Sequence, residues 1–167
     1  MSLAAIRSAF SERGRPILLR YIAIVAAANL LWETAQIPLY TIWKTGMAGD
    51  IAFAIVHCTA GDVLITAAAL LLALLLAGKA AWPSDRGLPV IAAATMLGIA
   101  YTVFSEWLNV SIRGSWSYAD MMPVMPPLGT GLTPLLQWVT IPPFAYIMAF
   151  RALSQIPDSL VGKRRNG

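Results

Sequence analysis

The sequence predicts an all-α integral membrane protein, a four-helix bundle with the N-terminus and C-terminus both cytoplasmic. Three observations carry that prediction. The first is composition: hydrophobic residues make up 58% of the chain and charged residues 12%, where soluble domains run at about 45–50% and about 25%. Charges that sparse cannot coat a water-facing surface. The second is the presence of four apolar stretches, each of about 20 residues or more, the length that crosses ~30 Å of hydrocarbon at ~1.5 Å per residue. The third is charge placement. Arg7, Arg13, Arg15 and Arg20 flank the first stretch, Lys79 and Arg86 lie in the second loop, and Arg151, Lys163, Arg164 and Arg165 follow the fourth stretch. Only Lys44 and Arg113 lie in the other two loops. Basic residues gather on the cytoplasmic side of a membrane protein, so both termini are expected there.

Each span has its own markers. Helix one runs over 17–43, entered past Pro16 and broken at Pro38. Its start resembles a signal peptide, with a basic flank and the AAA of 26–28. Cleavage there would leave an apolar core of about four residues after Tyr21, below the ~7–15 required, so the segment is read as retained. Helix two covers 51–77 and ends in AAALLLALLLA. Helix three covers 88–110. Helix four covers 133–150, with Thr133 as N-cap hydroxyl, Pro134 in the first turn, and a kink expected at Pro142 and Pro143. The segment 111–130 contains RGSWSYADMMPVMPPLGTG. Its prolines stiffen it, its glycines supply turns, and it is too apolar for a solvated tail. It reads as a periplasmic lid over one end of a single domain of 167 residues.

Other classes are excluded. The net charge of +4 and pI near 9.6 do not indicate nucleic acid, because the basic residues sit at segment ends and form no stripe or aromatic platform. Cys58 is the one cysteine, so no internal disulfide forms.

Ionisable groups inside a membrane cost roughly 2.5–3.5 kcal/mol at a helix centre and mark functional sites by default. Here they are Glu33, His57, Asp62 and Glu106. Asn29, Glu33, Gln36 and Tyr40 share one helical face, as do Gly98, Thr102, Glu106 and Asn109 on helix three, and Cys58, Asp62 and Thr66 on helix two. His57 lies about 140° from Asp62 at ~100° per residue, so it falls at the edge of whatever Asp62 faces. Gln137 enters from helix four. All of these lie in the outward halves of their helices, which predicts a polar pocket open to the periplasm. Glu33, Glu106, Asp62 and His57 are its candidate catalytic groups. Asn29, Trp32, Gln36, Thr102, Trp107, Asn109, Gln137 and Trp138 are its candidate ligand-binding groups. The plainer reading of the carboxyls is interhelical hydrogen bonding.

No metal site is assigned, since the chain has neither E-x-x-H nor H-x-x-x-H. Met121, Met122 and Met125 could bind Cu(I) through soft thioethers, but packing of the lid explains them as well. Cys58 beside His57 lacks an orienting third group for a nucleophile. No cofactor follows from these residues.

The elements WETAQIPLYTIW, HCTAGD, YTVFSEWLN and PPLGTGLTPLLQW resemble those of small bacterial multi-pass membrane proteins without an assigned activity. A four-helix membrane bundle with buried His and carboxylates also resembles, at the level of the fold, the emopamil-binding-protein superfamily of sterol isomerases. That resemblance transfers no site residues. The expected function is an inner-membrane protein whose pocket binds, and transforms, a small or lipid-like molecule, with membrane lipid as its surroundings and no nucleic-acid partner. The competing expectations are a proton- or ion-coupled transporter and a non-catalytic accessory subunit of a membrane complex.

Overall fold

A computed structural model of the chain describes residues 3–79, 82 and 87–151. Arg86, Lys163, Arg164 and Arg165, which carry part of the charge asymmetry, lie outside them.

The chain is mostly helical. A short helix α1 (Leu3–Ala9) precedes α2 (Gly14–Gln36), which runs on through a single 3-10 turn, Ile37–Leu39, to the short α3 (Ile42–Thr45). Then come α4 (Ala48–Ala77), α5 (Leu88–Glu106) with a π-helical extension over Trp107–Arg113, and α6 (Leu132–Arg151). The first predicted span is therefore two helices and a turn. Pro38 lacks an amide hydrogen and restricts the residue before it, which ends α2 at Gln36. The second begins earlier than expected, at Ala48, because the Asp50 carboxylate accepts the Met47 N–H at 3.0 Å and closes the first turn. The fourth begins at Leu132, not at an N-cap Thr133. The Thr133 hydroxyl is spent on the Met122 sulfur, at 3.3 Å. It continues through Pro142 and Pro143, which deprives the carbonyls of Trp138 and Val139 of their usual donors.

Three helical segments among the described residues are long and apolar enough to cross a membrane: Gly14–Leu39, Ala48–Ala77 and Leu88–Arg113. The helix α6 is not one of them, since Thr133, Gln137, Thr140 and three prolines dilute its apolar character. Large apolar side chains such as Leu31, Leu64 and Met96 are exposed on the helices, as a hydrocarbon environment demands and water does not.

The long helices pack in cyclic order, α2 against α4 and α6, and α5 against α4 and α6. The core is concentrated toward one end. Tyr21, Val25, Ala73, Leu74, Val90, Ala145 and Ala149 are buried there together with Trp82. The Trp82 indole donates to the Tyr146 hydroxyl at 2.8 Å, and its carbonyl accepts the Ser8 hydroxyl. The connection after α4 is thereby tied to both α1 and α6. This end is closed. At the other end α4 behaves differently: its buried residues are Thr66, Ala69, Leu70, Ala73 and Leu74, so its first five turns have none.

Where α5 meets α6, Gly98 lies against the Trp138 ring, and any Cβ at Gly98 would run into the indole. Small residues allow this kind of close helix approach. Gly98→Val is expected to cost about 1–3 kcal/mol through overpacking. Unfolding of the micelle-solubilised protein by denaturant reads this directly, and an unchanged midpoint would show that the two helices do not meet at this point.

Candidate functional site

At the open end the helices enclose a cavity of about 900 Å³. Glu33, His57, Asp62 and Glu106 all line it, with Gln36, Thr102, Asn109, Gln137 and Trp138. Four helices thus present their polar stripes to one volume.

One wall is a hydrogen-bond network centred on Gln137. Its Nε2 lies 2.7 Å from Asn29 Oδ1, 2.9 Å from Glu33 Oε1 and 2.9 Å from Asp62 Oδ2. An amide has two hydrogens, so three acceptors surround a group that can serve two of them fully. Glu33 Oε1 also accepts from Gln36 Nε2 at 2.8 Å, and Trp32 donates to Gln36 Oε1 at 3.1 Å. Asn29 in turn donates to the Val25 carbonyl at 2.9 Å. Asp62 and Glu33 thus share the Gln137 amide as a common partner.

The opposite wall is built around Glu106, the last α-helical residue before the π segment. The Tyr118 hydroxyl donates to its Oε2, and the Gly131 N–H donates to that hydroxyl at 2.8 Å. Burial, then the bond to Glu106, raises the Tyr118 phenol above its ordinary value, so Tyr118 stays a donor. The buried Trp116 indole nitrogen is directed at the same carboxyl.

Tyr118 belongs to the segment expected as a lid. Gly114 turns the chain out of the π segment at φ 61°, a left-handed conformation that favours glycine. The strand residues Tyr40 and Tyr118 then pair, with Thr41 N–H on the Ser117 carbonyl at 3.0 Å and Ala119 N–H on the Leu39 carbonyl at 2.9 Å. A small hairpin follows, Val124 opposite Gly131 and Met125 opposite Thr130. Met122 is buried while Met121 and Met125 are exposed, so the three sulfurs do not converge. Among the described residues no group of three or more His, Cys, Asp or Glu is placed to hold a metal ion.

The remaining candidates fall as follows. His57 is exposed and stacks on Phe53 at 5.4 Å between centroids, at the cavity rim. Asn29 is buried behind the wall, not in it. Trp32 and Trp107 do not line the cavity; each is one residue from a carboxyl on its helix, about 100° around, and so faces elsewhere. Trp107 is 38% exposed and packs near Phe104. Sequence reasoning missed the roles of Tyr118 and Trp116, read only as part of the lid segment, and of Asp50 and Tyr101, which also line the cavity. The pairing of Tyr40 with Tyr118 had no sequence signal beyond the aromatic character of both.

Comparison with known proteins adds no neighbour: no family model, curated protein or solved structure matches the chain.

Because the Tyr118 hydroxyl joins Glu106 to Gly131, Tyr118→Phe should loosen the lid while the helices stay intact. Hydrogen exchange of the amides in 114–131 is expected to accelerate by about tenfold, the scale of one hydrogen bond, with α2 and α5 unchanged. Exchange in the lid that does not move would remove Tyr118 as its pin.

Proposed function

We propose that this chain is a multi-pass inner-membrane protein, a four-helix membrane bundle with both termini in the cytoplasm, whose cavity opens on the periplasmic side, binds a lipid-like molecule and works on it by acid–base chemistry. In this reading α6 is the fourth span. Its 20 residues cover about 30 Å, and its position between α2 and α5 shields Gln137 from lipid.

The observation that carries the binding reading is the asymmetry of α4. No residue of its first five turns is fully buried, and Asp50, Phe53, His57, Cys58 and Asp62 among them line the cavity. In this reading an amphiphile enters from the outer leaflet past that less buried stretch of α4. A cavity of about 900 Å³ is within the range of small-molecule sites, ~300–1,000 Å³.

The acid–base part rests on the two walls. In this reading the Glu33–Asp62 wall gives a proton and Glu106, held in place by Tyr118, takes one. Separated groups of that kind are what general acid–base catalysis uses. Transport is disfavoured, because the packed end around Tyr21, Leu74 and Trp82 offers no path onward.

Native mass spectrometry of protein extracted in mild detergent is expected to show a stoichiometric lipid-sized adduct that Asp62→Leu loses. The bare chain mass in wild-type protein would overturn the binding reading. The topology is checked separately by a reporter fused after Gly167, expected to be active only as a cytoplasmic fusion; periplasmic activity would reverse the orientation.

A further inference from the structure

The segment 111–131 divides into two unlike halves. Residues 111–120 carry Ser111, Arg113, Ser115, Ser117 and Asp120. From Met121 to Phe150 there is no charged residue. This second half opens with the hairpin. Its strand β2 (Thr130–Gly131) is buried and packs against α5 and α6, while β1 (Val124–Met125) pairs with it and is exposed. Around β1 the exposure is continuous: the run PVMPPL of residues 123–128 is exposed throughout, and Met121 beside it is 70% exposed. Roughly three or four consecutive exposed apolar residues already call for a function.

The backbone supplies a second, independent observation. Peptide N–H groups without acceptors keep most loops out of lipid. Pro123, Pro126 and Pro127 have no N–H to satisfy. The Met122 N–H donates to the Ala119 carbonyl at 2.9 Å, Gly129 to Met125 at 3.0 Å and Leu132 to Pro123 at 2.7 Å. The Gly131 N–H donates to the Tyr118 hydroxyl, and the Thr133 hydroxyl is turned onto the Met122 sulfur. The hairpin is therefore apolar in its side chains and supplied with acceptors for these donors. A third observation is continuity. The helices that carry β2 are apolar on their own exposed faces, with Phe104 on α5 and Leu136 and Val139 on α6. Trp43 and Trp107 are exposed at this end, and tryptophan gathers where hydrocarbon meets water. A second copy or a soluble protein would also cover an apolar patch, but the apolar phase next to this one is the bilayer around α5 and α6.

Resting on the membrane reading above, we infer that the hairpin 121–131 is seated in the leaflet at the open end of the bundle, with Met121, Val124, Met125 and Leu128 in lipid. The lid is then anchored from outside by the bilayer as well as from inside by Tyr118. To test this, the full-length protein carrying Cys58→Ala is spin-labelled at single introduced cysteines and reconstituted in phosphatidylcholine–phosphatidylglycerol vesicles. Power saturation compares relaxation by oxygen, which concentrates in hydrocarbon, with relaxation by a nickel chelate confined to water. Labels at Val124→Cys and Leu128→Cys are expected to relax more with oxygen than with nickel. Lys44→Cys on α3, exposed at the same end, is expected to show the reverse. Leu64→Cys, exposed midway along α4, reports on the membrane reading itself and is expected to respond to oxygen. Should one hairpin variant fail to fold, the other decides. Nickel dominance at both hairpin positions, with oxygen dominance at Leu64→Cys, overturns the leaflet assignment and leaves the spans standing. Nickel dominance at Leu64→Cys as well overturns both. Hairpin labels shielded from both reagents are covered by protein, which also overturns the assignment; spin–spin broadening then identifies a second copy as the cover.

Discussion

The structure turns on one amide. Gln137 of α6 reaches Asn29 and Glu33 on α2 and Asp62 on α4 from a single nitrogen. In a hydrocarbon setting an unbonded polar group costs several kcal/mol, so these side chains have no cheap alternative to one another. The network therefore does two things. It fixes the rotation of α2, α4 and α6, because a rotation that frees Gln137 strands three acceptors. It also gathers two carboxyls, Glu33 and Asp62, at the edge of a cavity. Burial of charge is a weak argument for stability; here it is a stronger one for registry.

The two ends of the assembly are complementary. At the closed end small side chains do the packing. Ala5, Ala9, Ala73, Ala145 and Ala149 are fully buried, and Trp82 ties α1 to α6. Close backbone approach makes that end stiff. The first five turns of α4 are less buried than the rest of it and touch α6 through Asp62. Glu33, Asp62 and Glu106 lie where close packing gives way to open volume.

What could be read from the sequence was whatever helical periodicity determines. The stripes Asn29–Glu33–Gln36 and Gly98–Thr102–Glu106 are buried as spaced, because within one α-helix the spacing sets the face. The same rule explains the misplacements. Trp32 and Trp107 were assigned by depth, and their neighbouring positions turn them off the face. Trp138 lies beside Gln137 yet still lines the cavity, since α6 is covered on both flanks and its indole rests on Gly98. The roles of Tyr118 and Trp116 were not legible, because they depend on a π-helical segment, a left-handed glycine and a loop path, none of which is periodic. The apolar length of α6 was overestimated for a different reason: its prolines, threonines and Gln137 break the apolar run that its length alone suggested.

The two walls of the cavity are anchored independently, and that independence has a consequence. Gln137 holds the Glu33–Asp62 pair from within the helices, with bonds that do not involve the lid. Tyr118 holds Glu106 from the lid, through a hydroxyl whose other bond is to Gly131. The bonds of Gln137 to Asn29, Glu33 and Asp62 do not depend on the segment 114–131, whereas the bond of Glu106 to Tyr118 does. One wall is therefore set by the packing of the helices alone, and the other only by the path of the chain after Gly114, so a change in that path alters one wall and spares the other.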